Sequence, residues 1–328
     1  MIGATLGPAI ANAILSAVRD PGFAAGVAFA IVAVAVVAVA TLAMPRGGRD
    51  VVVPLGGVCF VAASLFALVR TEAVSDTFVW GIGALIGAGA VSSLARDRVP
   101  GAAIPLGAAL AVPGAWLVVH AEAIPRIGWI QVVLGVGIVV GGTLATDFDL
   151  RWRRVGAAPV LLAISLFGVY ATVPDTEQAL VVLGASIPLA LPGAIGWPRA
   201  MSALGSAGAF GAVGLLAWTV GAGGAARHSA IVGGLACLGL LVVEPVGRAL
   251  GRGRSRILGA VPEGRIGALA ALAGGHLVLV YVCARVAGLR DSAAASAWIA
   301  GGTLLMAVAS LAIDEPNASD RRTERIRA

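Results

Sequence analysis

His276 stands in a mostly apolar run, LAGGHLVLVYVCARVAG, residues 272–288. An imidazole can carry a proton or bind a substrate, and the helical rise puts this one about 15 Å in from the start of its run, near the middle of a bilayer. An ionisable group at that depth is costly and points to a proton or substrate path. The competing assignment is a neutral imidazole hydrogen-bonded to a neighbouring helix, with Gly274 and Gly275 letting the helices approach. Arg285 lies nearer the far end of the same run, where its long stem lets the guanidinium snorkel to the surface or hold an anionic substrate.

A second stretch, LLVVEPVGRALGRGRSR at 240–256, passes from apolar residues to a carboxylate, a proline and four arginines. Glu244 is either a coupling carboxylate or one end of a helix-exit pair with Arg248, one turn on. Pro245 withholds a backbone donor there. Arg248, Arg252, Arg254 and Arg256 form a topogenic cluster and are candidates for holding anionic lipid headgroups. In TDFDLRWRR, 146–154, Asp147 and Asp149 have the Asp-x-Asp spacing that can hold a metal and a diphosphate. Three residues are a weak match, and a helix exit is the plainer assignment. IPLALPG, 187–193, carries Pro188 and Pro192 four apart, a spacing that leaves consecutive turns short of donors and could break a helix into a substrate site. His120 and His228 fall in connections between apolar runs.

Other chemistry is excluded by what is missing. All 23 basic residues are Arg. Without lysine there is no phosphate-loop lysine and no Schiff base. Cys59, Cys237 and Cys283 lie inside apolar runs, where a thiol packs as a small hydrophobe. No H-E-x-x-H and no dense group of catalytic residue types occurs, so no catalytic residue, metal or cofactor is expected.

The elements that position these residues follow from composition. Of 328 residues 59% are hydrophobic and 12% charged, with a mean hydropathy of +0.96, far from the roughly 25% charged usage of soluble domains. The net charge of +6 sits in short gaps between apolar runs, not on a water-facing surface as nucleic-acid binding requires. Eleven runs have the length of about 20 residues that a helical span needs: 22–44, 51–69, 77–95, 102–120, 128–146, 156–173, 179–196, 201–221, 229–247, 266–286 and 294–313. In hydrocarbon each must satisfy its own backbone, which predicts an all-α, polytopic helical membrane protein. Residues 1–21 suit a helix lying in the interface or a short extra span, and no positive n-region marks a cleaved leader. Residues 22–313 form one helical domain and 314–328 a polar tail.

Orientation follows from the arginines, because positively charged short loops stay in the cytoplasm. Connections 1, 3, 5, 7 and 9 and the tail hold seventeen arginines, and the opposite side holds five. The C-terminus is therefore expected in the cytoplasm of a plasma (inner) membrane protein. The seven tryptophans, Trp80, Trp116, Trp129, Trp152, Trp197, Trp218 and Trp298, fall toward span ends and are expected to form aromatic belts. Residues 53–73 resemble 104–123, with Pro-Leu-Gly at one end and Glu-Ala past the other. A real duplication would make the fold a series of helical hairpins. Gly83-x-x-x-Gly87, Gly137-x-x-x-Gly141 and the series Gly205, Gly208, Gly211, Gly214 predict close helix packing.

Two functions fit. A permease, or a permease-like transport subunit for a small or lipidic molecule, requires His276, Glu244 and the double-proline helix to share one cavity. A non-catalytic scaffold that assembles with a protein partner in the membrane requires the same groups to be satisfied by helix contacts. A membrane enzyme acting on lipid-linked substrates ranks third. Membrane lipids are partners in all three.

Overall fold

The computed structural model describes residues 18–43, 54–71, 74–173, 177–223, 228–250, 264–289 and 293–312. Most of the N-terminal segment and the polar tail therefore lie outside the described residues, as do Arg252, Arg254 and Arg256. Among the described residues the protein is all-helical, with twelve α-helices. In chain order they are α1 (Pro21–Ala43), α2 (Gly56–Arg70), α3 (Asp76–Arg98), α4 (Pro100–Val119), α5 (Gly128–Trp152), α6 (Ala157–Thr172), α7 (Glu177–Ile195), α8 (Gly205–Gly223), α9 (His228–Ala236), α10 (Leu240–Leu250), α11 (Arg265–Leu289) and α12 (Ala293–Ala312). The first shows how a start is set: the Asp20 carboxylate accepts the Gly22 N–H at 2.7 Å and the Phe23 N–H at 3.3 Å, ahead of a proline at the first helical position.

Each of the eleven apolar runs falls on a helix, the ninth on two. Seven helices, α1, α3, α4, α5, α7, α8 and α11, are long and apolar enough to cross a membrane. The pair α9 and α10 is apolar enough when taken together, but it is bent by 67° at a short break, as a broken span or a re-entrant loop would be. The apolar helices α2 and α6 are shorter, with 15 and 16 residues, and so rise only about 23 Å.

The ninth run is thus not one straight span, and the break does not fall at Pro245. That proline lies within α10. The break is at Cys237–Gly239, where Gly239 takes φ +44°, a left-handed turn that glycine enters without a Cβ penalty. Pro188 and Pro192, expected to break their helix, are both carried inside the continuous α7. Proline is tolerated inside such a helix when neighbouring helices and side chains re-satisfy the backbone it frees.

The core is built around α8, whose residues are buried almost along its whole length and which packs on α2, α3 and α5. Its glycines make this possible. A Cβ on Gly57 of α2 would sit 2.6 Å from the Gly208 Cα, and one on Gly89 of α3 would sit 2.6 Å from the Ala207 Cα. Gly141 of α5 similarly admits Val213 and Leu238, each 3.1 Å from where its Cβ would stand. Small residues let helices meet in lipid, where apolar burial supplies little drive. Gly83 and Gly87 instead face open space.

Apolar side chains also cover the outside. Val36 and Val39 of α1, Val132 and Val136 of α5, and Leu305 and Met306 of α12 are all exposed, far more than a soluble surface carries. Trp80, Trp116, Trp129, Trp197 and Trp298 are exposed, as belt residues should be. Trp218 and Trp152 are not belt residues. Both are buried, Trp218 against Phe78 at a ring-centroid distance of 4.3 Å. The two similar segments differ in placement: Pro54 precedes α2, whereas Pro105 lies inside α4.

Candidate functional site

His276 of α11 is fully buried and closes the break between α9 and α10. Around the break the chain's own carbonyls take most amides: Cys237 N–H bonds Gly233 O at 3.1 Å, Gly239 N–H bonds Ala236 O at 3.0 Å and Leu241 N–H bonds Leu238 O at 2.9 Å. The Leu240 N–H goes to His276 Nδ1 at 3.1 Å. Since Nδ1 accepts, the ring proton is on Nε2, which faces Leu161 O and Ser165 Oγ of α6, each at 2.9 Å. The Ser165 hydroxyl in turn donates to Leu161 O at 3.0 Å. The imidazole is neutral, engaged at both nitrogens, and joins three elements: α6, α11 and the start of α10. Close approach is provided by Gly239, whose Cβ would lie 2.8 Å from Nδ1, and not by Gly274, which has open space beside it, or Gly275, whose nearest neighbour is 3.7 Å away. His276 itself signalled a helix contact in the sequence; its partner Ser165, a hydroxyl in mid-run, was missed.

Glu244 does not pair with Arg248. It is fully buried, and its Oε1 lies 3.5 Å from Nε of Arg151 on α5, while Arg248 pairs with Asp147 on the same helix. Two ion pairs thus tie the end of α5 to α10. Trp152 completes this patch, its indole within hydrogen-bonding reach of the Glu244 carboxylate, while Arg248 Nε has no hydrogen-bond partner among the described residues.

Asp147 and Asp149 do not converge on one point. The Asp149 carboxylate is buried and accepts the N–H of Leu204 at 2.8 Å and of Gly205 at 3.0 Å, capping the start of α8, with Arg153 Nη2 at 3.5 Å. Among the described residues no group of three His, Cys, Asp or Glu side chains could hold a metal ion.

Beside Asp149 opens a cavity of about 610 Å³ lined by Arg153, Arg154, Arg199 and Arg265, with Gly196 and Ser202 between them. Its walls come from the end of α5, the end of α7, the connection to α8 and the start of α11, so connections 5, 7 and 9 meet at one end of the bundle. Arg265 is fixed there: its Nη2 donates to Gly193 O, and its guanidinium covers Gly196, whose Cβ would lie 2.8 Å from Cζ. Spacing alone did not single out these four arginines as a group, because they are spread over more than a hundred residues.

The other candidates stand apart. Arg285 is exposed, with its Cζ 6.0 Å from the centre of the Tyr281 ring. His120 is also exposed, its Nδ1 2.9 Å from Trp116 O. Neither His276, Glu244, Arg285 nor the two prolines of α7 line the arginine cavity. No protein-family model matches the chain, and no curated protein or solved structure matches it.

Proposed function

We propose that the chain is a polytopic inner-membrane protein crossing eleven times, its arginine-rich end and C-terminus cytoplasmic, and that it works as a permease-like transport subunit for a small or lipidic molecule. The observation that carries this reading is the crossing broken at Cys237–Gly239, bent by 67° and held from α11 by an ionisable side chain. Broken helices gathered against a neighbour are where transporters build their substrate and ion sites. The arginine cavity, where connections 5, 7 and 9 meet, is a separate polar surface that His276, Glu244, Pro188 and Pro192 do not line.

A second reading, a non-catalytic assembly subunit, is favoured by the hydrogen bonds at both nitrogens of His276, which leave the ring satisfied by helix contacts. Cysteine labelling separates the two. In a background with Cys59, Cys237 and Cys283 replaced, a single cysteine at Ser165 is treated with a membrane-impermeant thiol reagent from each side. Labelling from either side supports a path through the junction. Protection from both sides, in protein that still inserts, sinks the transport reading and leaves the assembly one.

A further inference from the structure

We propose that the cavity between α5, α7 and α11 is a binding site for a phosphate-bearing anion, with Arg153, Arg154, Arg199 and Arg265 as its ligands. The proposal holds whether the chain transports or assembles.

Charge is the first argument. Four guanidinium groups line one cavity of about 610 Å³, and of the described carboxylates only Asp149 reaches one of them, Arg153 at 3.5 Å. That carboxylate is already committed to the Leu204 and Gly205 amides. The cavity therefore holds a surplus of positive charge, which a bound anion would offset. Guanidinium forks match phosphate oxygens two at a time, so several around one cavity suit a phosphate or diphosphate better than a single carboxylate.

Construction is the second. Arg265 is held by Gly193 O and packed on Gly196, and Gly196 takes φ +77°, a backbone geometry that favours glycine. Gly193 is itself pressed against Gly156, with the Gly156 oxygen 2.8 Å from where a Gly193 Cβ would stand. One arginine is thus positioned in advance, while Arg154 and Arg199 remain exposed and free to close on a ligand. Ser202 adds a hydroxyl to the lining, donated to Arg199 O at 2.8 Å.

Place is the third. Ile195 and Trp197 stand exposed at the end of α7 beside the cavity, an apolar rim next to a cationic pocket. A lipid headgroup with its chains along that rim and a soluble phosphate compound would both satisfy the arginines; the lipid source alone rests on the membrane reading.

The test is native mass spectrometry of the full-length chain in detergent, titrated with phosphatidylglycerol, with phosphatidylcholine, and separately with inorganic pyrophosphate. Phosphatidylglycerol is expected to bind more tightly than phosphatidylcholine, and the double variant R154Q/R199Q to lose at least about tenfold in affinity, since each arginine near an anionic headgroup contributes on the order of 1 kcal/mol. Competition by pyrophosphate assigns the site to a soluble phosphate compound; its absence assigns a lipid headgroup. The variant R285Q, at the other end of α11, is expected to bind as the parent does. The proposal is overturned if phosphatidylglycerol and pyrophosphate both bind no better than phosphatidylcholine, or if R285Q loses as much as R154Q/R199Q. Should the double variant not fold, the salt series on the parent decides: affinity that does not fall between low and high salt also overturns it.

Discussion

The Leu240 N–H donates to His276 Nδ1 at 3.1 Å across 36 residues of sequence, and this bond stands where α10 has no carbonyl of its own to offer. A break in a membrane crossing exposes backbone donors in a medium that cannot solvate them. The histidine supplies the missing acceptor on one side and hands its own proton to α6 on the other. The burial of this ionisable side chain is thus explained by a backbone requirement.

Replacing that histidine should be costly. His276→Leu leaves the Leu240 amide and the Ser165 hydroxyl with fewer partners, at about 1–3 kcal/mol for a buried unsatisfied group. Reversible unfolding in mixed micelles is expected to show the loss. Parental stability for this variant would remove His276 from the role described.

Gly239 and Gly275 should respond oppositely to alanine. At Gly239 the new Cβ meets the imidazole at 2.8–2.9 Å with φ at +44°, so Gly239→Ala should displace His276 and mimic its loss. At Gly275 the nearest atom is 3.7 Å away, and Gly275→Ala should be neutral or slightly stabilising. Melting both variants beside the parent checks this, and equal melting temperatures would contradict it.

The contact of α2 with α8 leaves no room for a methyl group at Gly57 or Gly208. Gly208→Ala is expected to cost at least the ~1–3 kcal/mol typical of overpacking, whereas Gly83→Ala, facing open space, should cost nothing. The readout is the yield of monodisperse protein and its thermal stability in detergent. Equal behaviour of the two variants would refute the packing described.

Asp149 acts as a cap. Asp149→Asn keeps one oxygen acceptor for the α8 amides and should cost less than Asp149→Leu, which keeps none; loss of such a cap costs about 0.5–2 kcal/mol. Stability measurements on the pair test this order, and the reverse order would contradict it.

Arg151 and Glu244 should be coupled. Arg151→Gln leaves a buried carboxylate without its cation, a change that costs about 3–5 kcal/mol in buried pairs; one side of this pair is partly exposed, so the lower end is expected. Adding Glu244→Gln should restore part of the loss. A double-mutant cycle measures the coupling, and additive effects would show that the two charges do not interact.

By itself the sequence determined that this chain is helical and where nearly every helix lies. Apolar runs of 18 to 23 residues have one backbone solution in hydrocarbon, and helical hydrogen bonds are local, so periodicity and length suffice. The arginine count also anticipated that connections 5, 7 and 9 share one end, because charge placement is a property of each loop alone. The tertiary structure decided what depends on partners distant in the chain. The sequence offered Pro245 as the weak point of its crossing, but the chain turns at Gly239, where His276 supplies an acceptor. Glu244 has an arginine one turn away and uses Arg151, a residue of another helix, because burial against α5 brings that guanidinium closer. The prolines of α7 stay inside one continuous helix. In each case the local signal named a possibility, and packing between helices selected the partner that met the unsatisfied group.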